Sequence, residues 1–198
     1  MADSALLVPE KTALLIMDVQ PSIVAMIPDA EAYLERLRQT REVARENGLT
    51  IGYVRVALTE EDAARVPARN KSFSDAAASG RLLDDRPEVQ VDSRIAPAAD
   101  EIVVRKSRVG AFSTTDLREQ LEGRGIDTLI LTGIATSGVV LSTLRDAADR
   151  DFRLFVVEDL CFDRDPEVHR VLIEKVFPRQ AEIVDADTVD ELIRTSRD

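Results

Sequence analysis

One cysteine and one histidine are all that this chain offers among the residues that most often bind metals or form covalent links. A lone Cys161 excludes an internal disulfide framework and a cysteine-based zinc site. A lone His169 excludes a zinc or iron centre built on several histidines. Long apolar runs are missing too, and none approaches the ~18 residues of a membrane span. The start, Met1-Ala2-Asp3-Ser4, has no basic segment leading into an apolar one, so no secretory leader is expected and cytoplasmic residence is the default. Basic charge is in deficit, with 26 Lys and Arg against 37 Asp and Glu, a net charge of −11. That balance argues against nucleic acid or an anionic membrane as a partner. It leaves open a small anionic substrate in a locally basic pocket. No cofactor and no metal are expected, and a carboxylate-only magnesium or calcium site finds no supporting ligand spacing.

What is present has a globular composition, 44% hydrophobic and 32% charged over 198 residues. The length fits one domain, 1–198, able to bury roughly 70% of its unfolded surface. No internal repeat, low-complexity tract or linker interrupts it.

Thr12 to Met17 is a near-continuous apolar run ending at Asp18, the pattern of a strand buried on both faces. Asp29 is placed to cap a helix through Leu34, Leu37, Val43 and Ala44 that closes near Gly48. Thr50 to Val56 reads as a second strand. From Ala57 to about Pro97 periodicity fades, apart from a short helix opened by Thr59. This stretch reads equally as a cover over a site or as a surface excursion. Asp100 to Arg105, ending at Lys106, is a third strand; Ser107 to Phe112 is a loop; Thr114 or Thr115 caps a helix through Leu117 and Leu121. Thr128 to Thr132 is strand four, Phe152 to Val157 strand five, ending at Glu158-Asp159, and Glu182 to Val184 an edge strand. Pro166 fits the first turn of one helix, and Asp187 begins the last. This alternation implies an α/β fold with a six-stranded, mostly parallel sheet and helices on both faces.

Ligands in such folds lie beyond the carboxyl ends of the strands. The residues to weigh there are Asp18, Lys106, the Ala135 to Val139 turn, and Asp159 with Cys161. Asp18 reads either as a rim carboxylate whose pKa burial raises and a nearby Lys106 lowers, or as a cap of the following turn. Lys106 reads either as that partner or as a solvated strand-end lysine.

Three motifs then carry a resemblance. Ala13-Leu14-Leu15-Ile16-Met17-Asp18-Val19-Gln20 is the first. Val104 to Phe112 with Thr115-Asp116-Leu117 is the second. Leu131-Thr132-Gly133-Ile134-Ala135-Thr136, with Thr143 and Arg145-Asp146-Ala147 beyond, is the third. Together and in this order they resemble the isochorismatase-like, or cysteine hydrolase, superfamily over nearly the whole chain. The resemblance implies a Rossmann-like three-layer α/β/α sandwich acting on a small-molecule substrate, usually as a homo-oligomer such as a dimer or tetramer. It implies Asp18 and Lys106 as catalytic residues and a cis peptide at Ile134–Ala135. It implies backbone N–H donors for an oxyanion at Ala135 and Val139, and substrate contacts at Gln20, Arg108, Phe112 and Ser137.

The family's cysteine position maps to Val139, which has no lone pair for attack. The resemblance then implies three alternatives. In the favoured one, vinyl-ether hydrolysis, Asp18 is the general acid and Lys106, with Arg108, holds a substrate carboxylate. A second is an amidase with another nucleophile, Cys161 or Ser137; a small buried thiol and a helix cap are the plainer readings of those two. The third is a binding or scaffold protein without catalysis. His169 is expected on the exposed or half-buried face of its helix, without a catalytic role.

Overall fold

Residues 7–196 are described here in a computed structural model of the chain. The Met1-Ala2-Asp3-Ser4 stretch discussed above lies outside them. The elements run β1 (Thr12–Met17), α1 (Pro21–Val24), α2 (Ala30–Glu46), β2 (Thr50–Val56), α3 (Glu60–Ala64), α4 (Ser74–Ala78), β3 (Ile102–Lys106) and α5 (Leu117–Gly123). They continue with β4 (Thr128–Ile134), a π-helical turn (Thr136–Val140), α6 (Leu141–Ala148), β5 (Arg153–Phe162), α7 (Pro166–Val171), a second π-helical turn (Leu172–Val176), β6 (Glu182–Val184) and α8 (Ala186–Thr195).

The six strands form one sheet in the order β3-β2-β1-β4-β5-β6, with every neighbouring pair parallel. Strands β1 and β4 are buried at every position, the expected fate of apolar runs at the centre of a parallel sheet. Alternation along β1 divides its side chains between two cores. Ala13, Leu15 and Met17 join Leu117, Leu121, Val140 and Leu144 on one face. Leu14 and Ile16 join Leu34, Leu37, Val189 and Ile193 on the other. Helices α5 and α6 therefore cover one side and α2 and α8 the opposite one, giving three layers.

The connections from β1 proceed outward through β2 to β3, and those from β4 outward through β5 to β6. The strand order thus reverses between β1 and β4, where a ligand crevice is expected at the carboxyl ends. The local signals that shape these elements are capping carboxylates. Asp29 accepts from the Ala32 N–H, and Asp165 from those of Glu167 and Val168. Asp185, rather than Asp187, starts α8 by accepting from the Thr188 N–H.

Two stretches differ from the sequence expectation. Strand β5 does not end at Glu158-Asp159. Leu131 pairs with Val156 and Gly133 with Cys161, so β5 bulges outward and then resumes. Glu158 and Asp159 are exposed on that bulge, which is why they mimic a strand end. The weakly patterned segment 57–97 is pinned over the ends of β2 and β3. Thr59 and Asp62 form a capping box, Arg55 pairs with Asp84 at 2.6 Å, and Arg105 pairs with Asp62 at 2.6 Å. Charge pairs and single turns leave no periodic apolar trace, so this order was invisible in the pattern. Among the described residues, no helix is long and apolar enough to cross a membrane.

Candidate active site

Asp18 follows the last residue of β1 with its backbone in the left-handed region, φ 57°. Aspartate tolerates that conformation better than most residues. Its N–H donates to Val54 O, so the turn is tied back to β2. Lys106 is the last residue of β3, two strands away, and its side chain crosses the end of β2 to reach Asp18. Nζ donates to Asp18 Oδ2 at 2.8 Å and to Arg108 O at 3.2 Å. Both residues are almost sealed, Asp18 5% and Lys106 1% exposed. Asp18 is neither a helix cap nor Lys106 a solvated strand end. Asp18 Oδ1 is buried with no hydrogen-bond partner. Burial pushes the Asp18 carboxyl up to about 6, and the Lys106 charge holds it from rising further.

Across the crevice the chain turns from β4 into α6. The Ile134–Ala135 peptide is cis. Gly133 has φ 144°, and a Cβ there would lie 2.3 Å from Met17 O, so only glycine fits between β4 and β1. The π-helical turn follows, a form that often marks functional positions. Val139 lies within this turn, buried beside Val140 in the α5/α6 core. The turn is held from outside. Asp163, just past β5, accepts from the Ser137 N–H at 2.8 Å. Thr136 Oγ1 and His169 Nδ1 are 2.8 Å apart. The cap oxygen at this helix start therefore comes from Asp163 and not from the Ser137 hydroxyl. His169 is half-buried and faces the turn across 33 residues of sequence, a link that no local signal announces.

The four substrate contacts implied by resemblance have different fates. Gln20 is fully buried, with Nε2 donating to Val56 O and Val89 O and Oε1 accepting from Val56 N. Its amide thereby braces segment 57–97 to β2. Phe112 is a core residue, stacked on Phe152 at 6.2 Å and overlaid by Arg150. Its buried ring is likewise committed to packing. Arg108 is half-exposed, over the Phe73 ring at 5.7 Å, with Nη1 donating to Ser107 O. Ser137 is exposed at the turn.

Cys161 sits inside β5 with Sγ facing Leu131 O at 3.9 Å. Burial pushes its thiol up to about 12, so it holds its proton at neutral pH and is a poor nucleophile. Beside it lies a hollow of about 160 Å³ lined by Cys161, Phe162, Asp163, Pro166 and His169. Among the described residues, no group of three or more His, Cys, Asp or Glu is arranged to hold a metal ion.

Residues 12–188 match the isochorismatase domain. An N-carbamoylsarcosine amidase from Arthrobacter sp. is 32% identical over 149 residues, which cover 75% of this chain and only 56% of that protein. A probable isochorismatase from Pseudomonas chlororaphis is 29% identical over 186 residues, 91% of this chain and 86% of that protein. The crystal structure of a cysteine hydrolase from Pseudomonas syringae pv. phaseolicola superposes with a TM-score of 0.88, at 20% identity, over 99% of this chain and 100% of that one, and has the same fold. By sequence and by architecture together, the chain belongs to the isochorismatase family of hydrolases.

Proposed function

We propose that this protein hydrolyses a vinyl-ether bond in a small carboxylate-bearing substrate, with Asp18 as general acid and no covalent enzyme intermediate. The observation that carries this reading is the unpartnered Oδ1 of Asp18, buried on a carboxyl whose pKa stands at about 6. A carboxyl of that kind is protonated below about pH 6, far above an ordinary aspartate, and has one oxygen free to deliver the proton. Lys106 fixes the other oxygen, which leaves Oδ1 to carry the proton.

The chemistry then runs without a protein nucleophile. Asp18 gives its proton to the terminal alkene carbon of an enolpyruvyl ether. The ether carbon becomes an oxocarbenium ion, flanked by the Asp18 carboxylate now charged beside Lys106. Water adds to that carbon and returns a proton to Asp18. The hemiketal collapses to pyruvate and the free alcohol. The N–H groups of Ala135 and Val139 are candidate donors to a substrate oxygen, since this route develops positive charge and has no oxyanion for them to stabilise. Val139 occupies the position where related hydrolases carry cysteine, and it closes the thioester route. The amidase alternative is weakened at both candidate nucleophiles. Cys161 is protonated and buried, and Ser137 faces Asp163, whose carboxyl, despite burial, is held below the usual range by its hydrogen bonds with Ser137 and is therefore a weak base.

The test is pyruvate release from isochorismate, followed by coupled reduction of the pyruvate. Asp18→Asn is expected to lower kcat by about 10²- to 10⁴-fold, the usual contribution of a general acid. Full activity in that variant removes Asp18 from the mechanism. One observation favours a second reading, a binding protein without turnover: the Asp18–Lys106 pair is nearly closed to solvent within a single chain. Specific turnover in a screen of vinyl ethers and amides ends that reading.

A further inference from the structure

The side chains of Asp18 and Lys106 are closed off within a single chain, 8% and 2% exposed. A substrate reaches them only when part of the protein over them moves. Residues 59–82, which carry α3 and α4, have the build of a moving part. The base of this flap is a backbone clasp. The Leu58 N–H donates to Leu82 O at 2.7 Å, and the Asp84 N–H to Leu58 O at 2.9 Å. Between those points only Phe73 and Ala76 are buried. A stretch with so little buried apolar surface opens at low free-energy cost. The residues just beyond the base are different. Val89 and Ile95 are fully buried, Val89 O accepts from Gln20 Nε2, and the Asp92 N–H donates to Val19 O.

Above its base the flap is tied to the sheet through Asp62 and Phe73. Asp62 pairs with Arg105 at 2.6 Å, and the Arg108 guanidinium lies 5.7 Å over the Phe73 ring. Both ties lead to the catalytic pair. Arg105 immediately precedes Lys106, and the Lys106 carbonyl accepts from the Ala57 N–H at the root of the flap. Arg105 also stands in register with Arg55 on β2, a like-charge pair that the Asp62 carboxylate helps to neutralise. Arg108 O accepts from Lys106 Nζ, the atom that also donates to Asp18 Oδ2. Phe73 is therefore one residue removed from the pair, and its ring is nearly buried at 6% exposure although the flap around it is open to water.

We propose that residues 59–82 form a lid over the Asp18–Lys106 pair, latched at the tip by the Phe73 ring on Arg108 and near the base by Asp62 on Arg105, that lifts to admit substrate. The lid turns on the Leu58–Leu83 bridge and leaves the anchored residues from Val89 onward in place. Its ties are a cation–π contact and a partly exposed ion pair, interactions weak enough to break and re-form during turnover. The proposal concerns access to the pair and does not rest on the vinyl-ether chemistry.

The lysines of the chain are Lys11, Lys71, Lys106 and Lys175, and Lys106 alone among them is buried. Acetylation by the N-hydroxysuccinimide ester of acetate, followed residue by residue by mass spectrometry, therefore reads the lid directly. In the unaltered protein Lys106 is expected to label far more slowly than Lys11 or Lys175. Phe73→Ala is expected to speed Lys106 labelling about tenfold, and Asp62→Asn, whose amide oxygen can still cap α3, by about threefold. Phe73→Tyr keeps the ring and should label at the parent rate. Asp29→Ala removes the cap of α2 and lowers global stability without touching the lid, so it should leave Lys106 labelling unchanged. Lys106 rates unmoved in both Phe73→Ala and Asp62→Asn, an equal acceleration in Asp29→Ala, or labelling of Lys106 in the unaltered protein as fast as Lys11 each overturns the proposal. Absence of pyruvate release with this labelling pattern intact counts against the reaction alone.

Discussion

The two walls of the crevice are built on opposite principles. The β1/β3 wall is a buried ion pair, Asp18 with Lys106, dry and held by one 2.8 Å contact. The β4/β5 wall has no ion pair at its centre. It is a backbone feature, a turn whose conformation is fixed by Gly133 against Met17 and by Asp163 and His169 from outside. One wall holds a titratable side chain; the other is a backbone turn with Val139 buried in the core. The two walls meet where Gly133 packs against Met17, the residue before Asp18.

The largest expected effect comes from breaking the first wall. Lys106→Met leaves the Asp18 carboxyl buried without its cation, and removal of one member of a buried pair costs about 3–5 kcal/mol. Urea denaturation at pH 7 reads this as a lower midpoint with an unchanged slope. The same variant removes the charge that holds the Asp18 pKa down, so the Asp18 titration is expected to move above 6. A variant as stable as the parent, with the titration unmoved, would show that the pair is not the organising element of that wall.

Next comes pH. The folded protein keeps the Asp18 proton up to about 6, while an unfolded aspartate releases it near 3.8. Between those values the folded state carries the extra proton. Stability contributed by this group is therefore greatest at low pH and falls as pH rises through that window. Asp18→Asn abolishes this slope. A general acid must also be protonated to act, so kcat/KM for vinyl-ether hydrolysis is expected to fall about tenfold per pH unit above roughly 6. A rate rising through pH 6 would assign Asp18 the role of a base, as an amidase with a nucleophile requires.

The two walls were not equally legible in the sequence. Asp18 and Lys106 terminate continuous apolar strands, so period and polarity alone place both at one sheet edge. Their mutual contact over 88 residues follows only once β1 and β3 are known to flank β2. The six strands were readable for the same reason, because a buried parallel strand is an apolar run with sharp ends. The β4/β5 wall was legible only in part. Gly133 and the turn stand out in the chain, but Asp163 and His169 reach it from a loop and a short helix with no periodic signature. The bulge in β5 hid the last three residues of that strand behind the charged Glu158-Asp159 pair. A motif position also does not reveal whether an amide is already bonded to backbone or a ring packed in the core, as at Gln20 and Phe112.

The smallest expected effect sharpens the contrast from the second wall. Cys161 is the one thiol in the chain, and it lies beside the hollow next to the turn. If the β4/β5 wall contributes geometry and not a nucleophile, Cys161→Ala should leave turnover unchanged. It should cost only roughly 1 kcal/mol of stability, the scale of losing one buried methyl-sized group. The thiol of the parent should also resist iodoacetamide at pH 8, because a group pushed up to about 12 has little thiolate there. Val139→Cys places a second thiol in the π-helical turn, close to the N–H groups that would lower its pKa. Labelling of that thiol with Cys161 untouched would mark the turn as a nucleophile seat left empty. Rapid labelling of Cys161 in the parent, with loss of turnover, would move the reaction onto the β5 side and reverse the roles of the two walls.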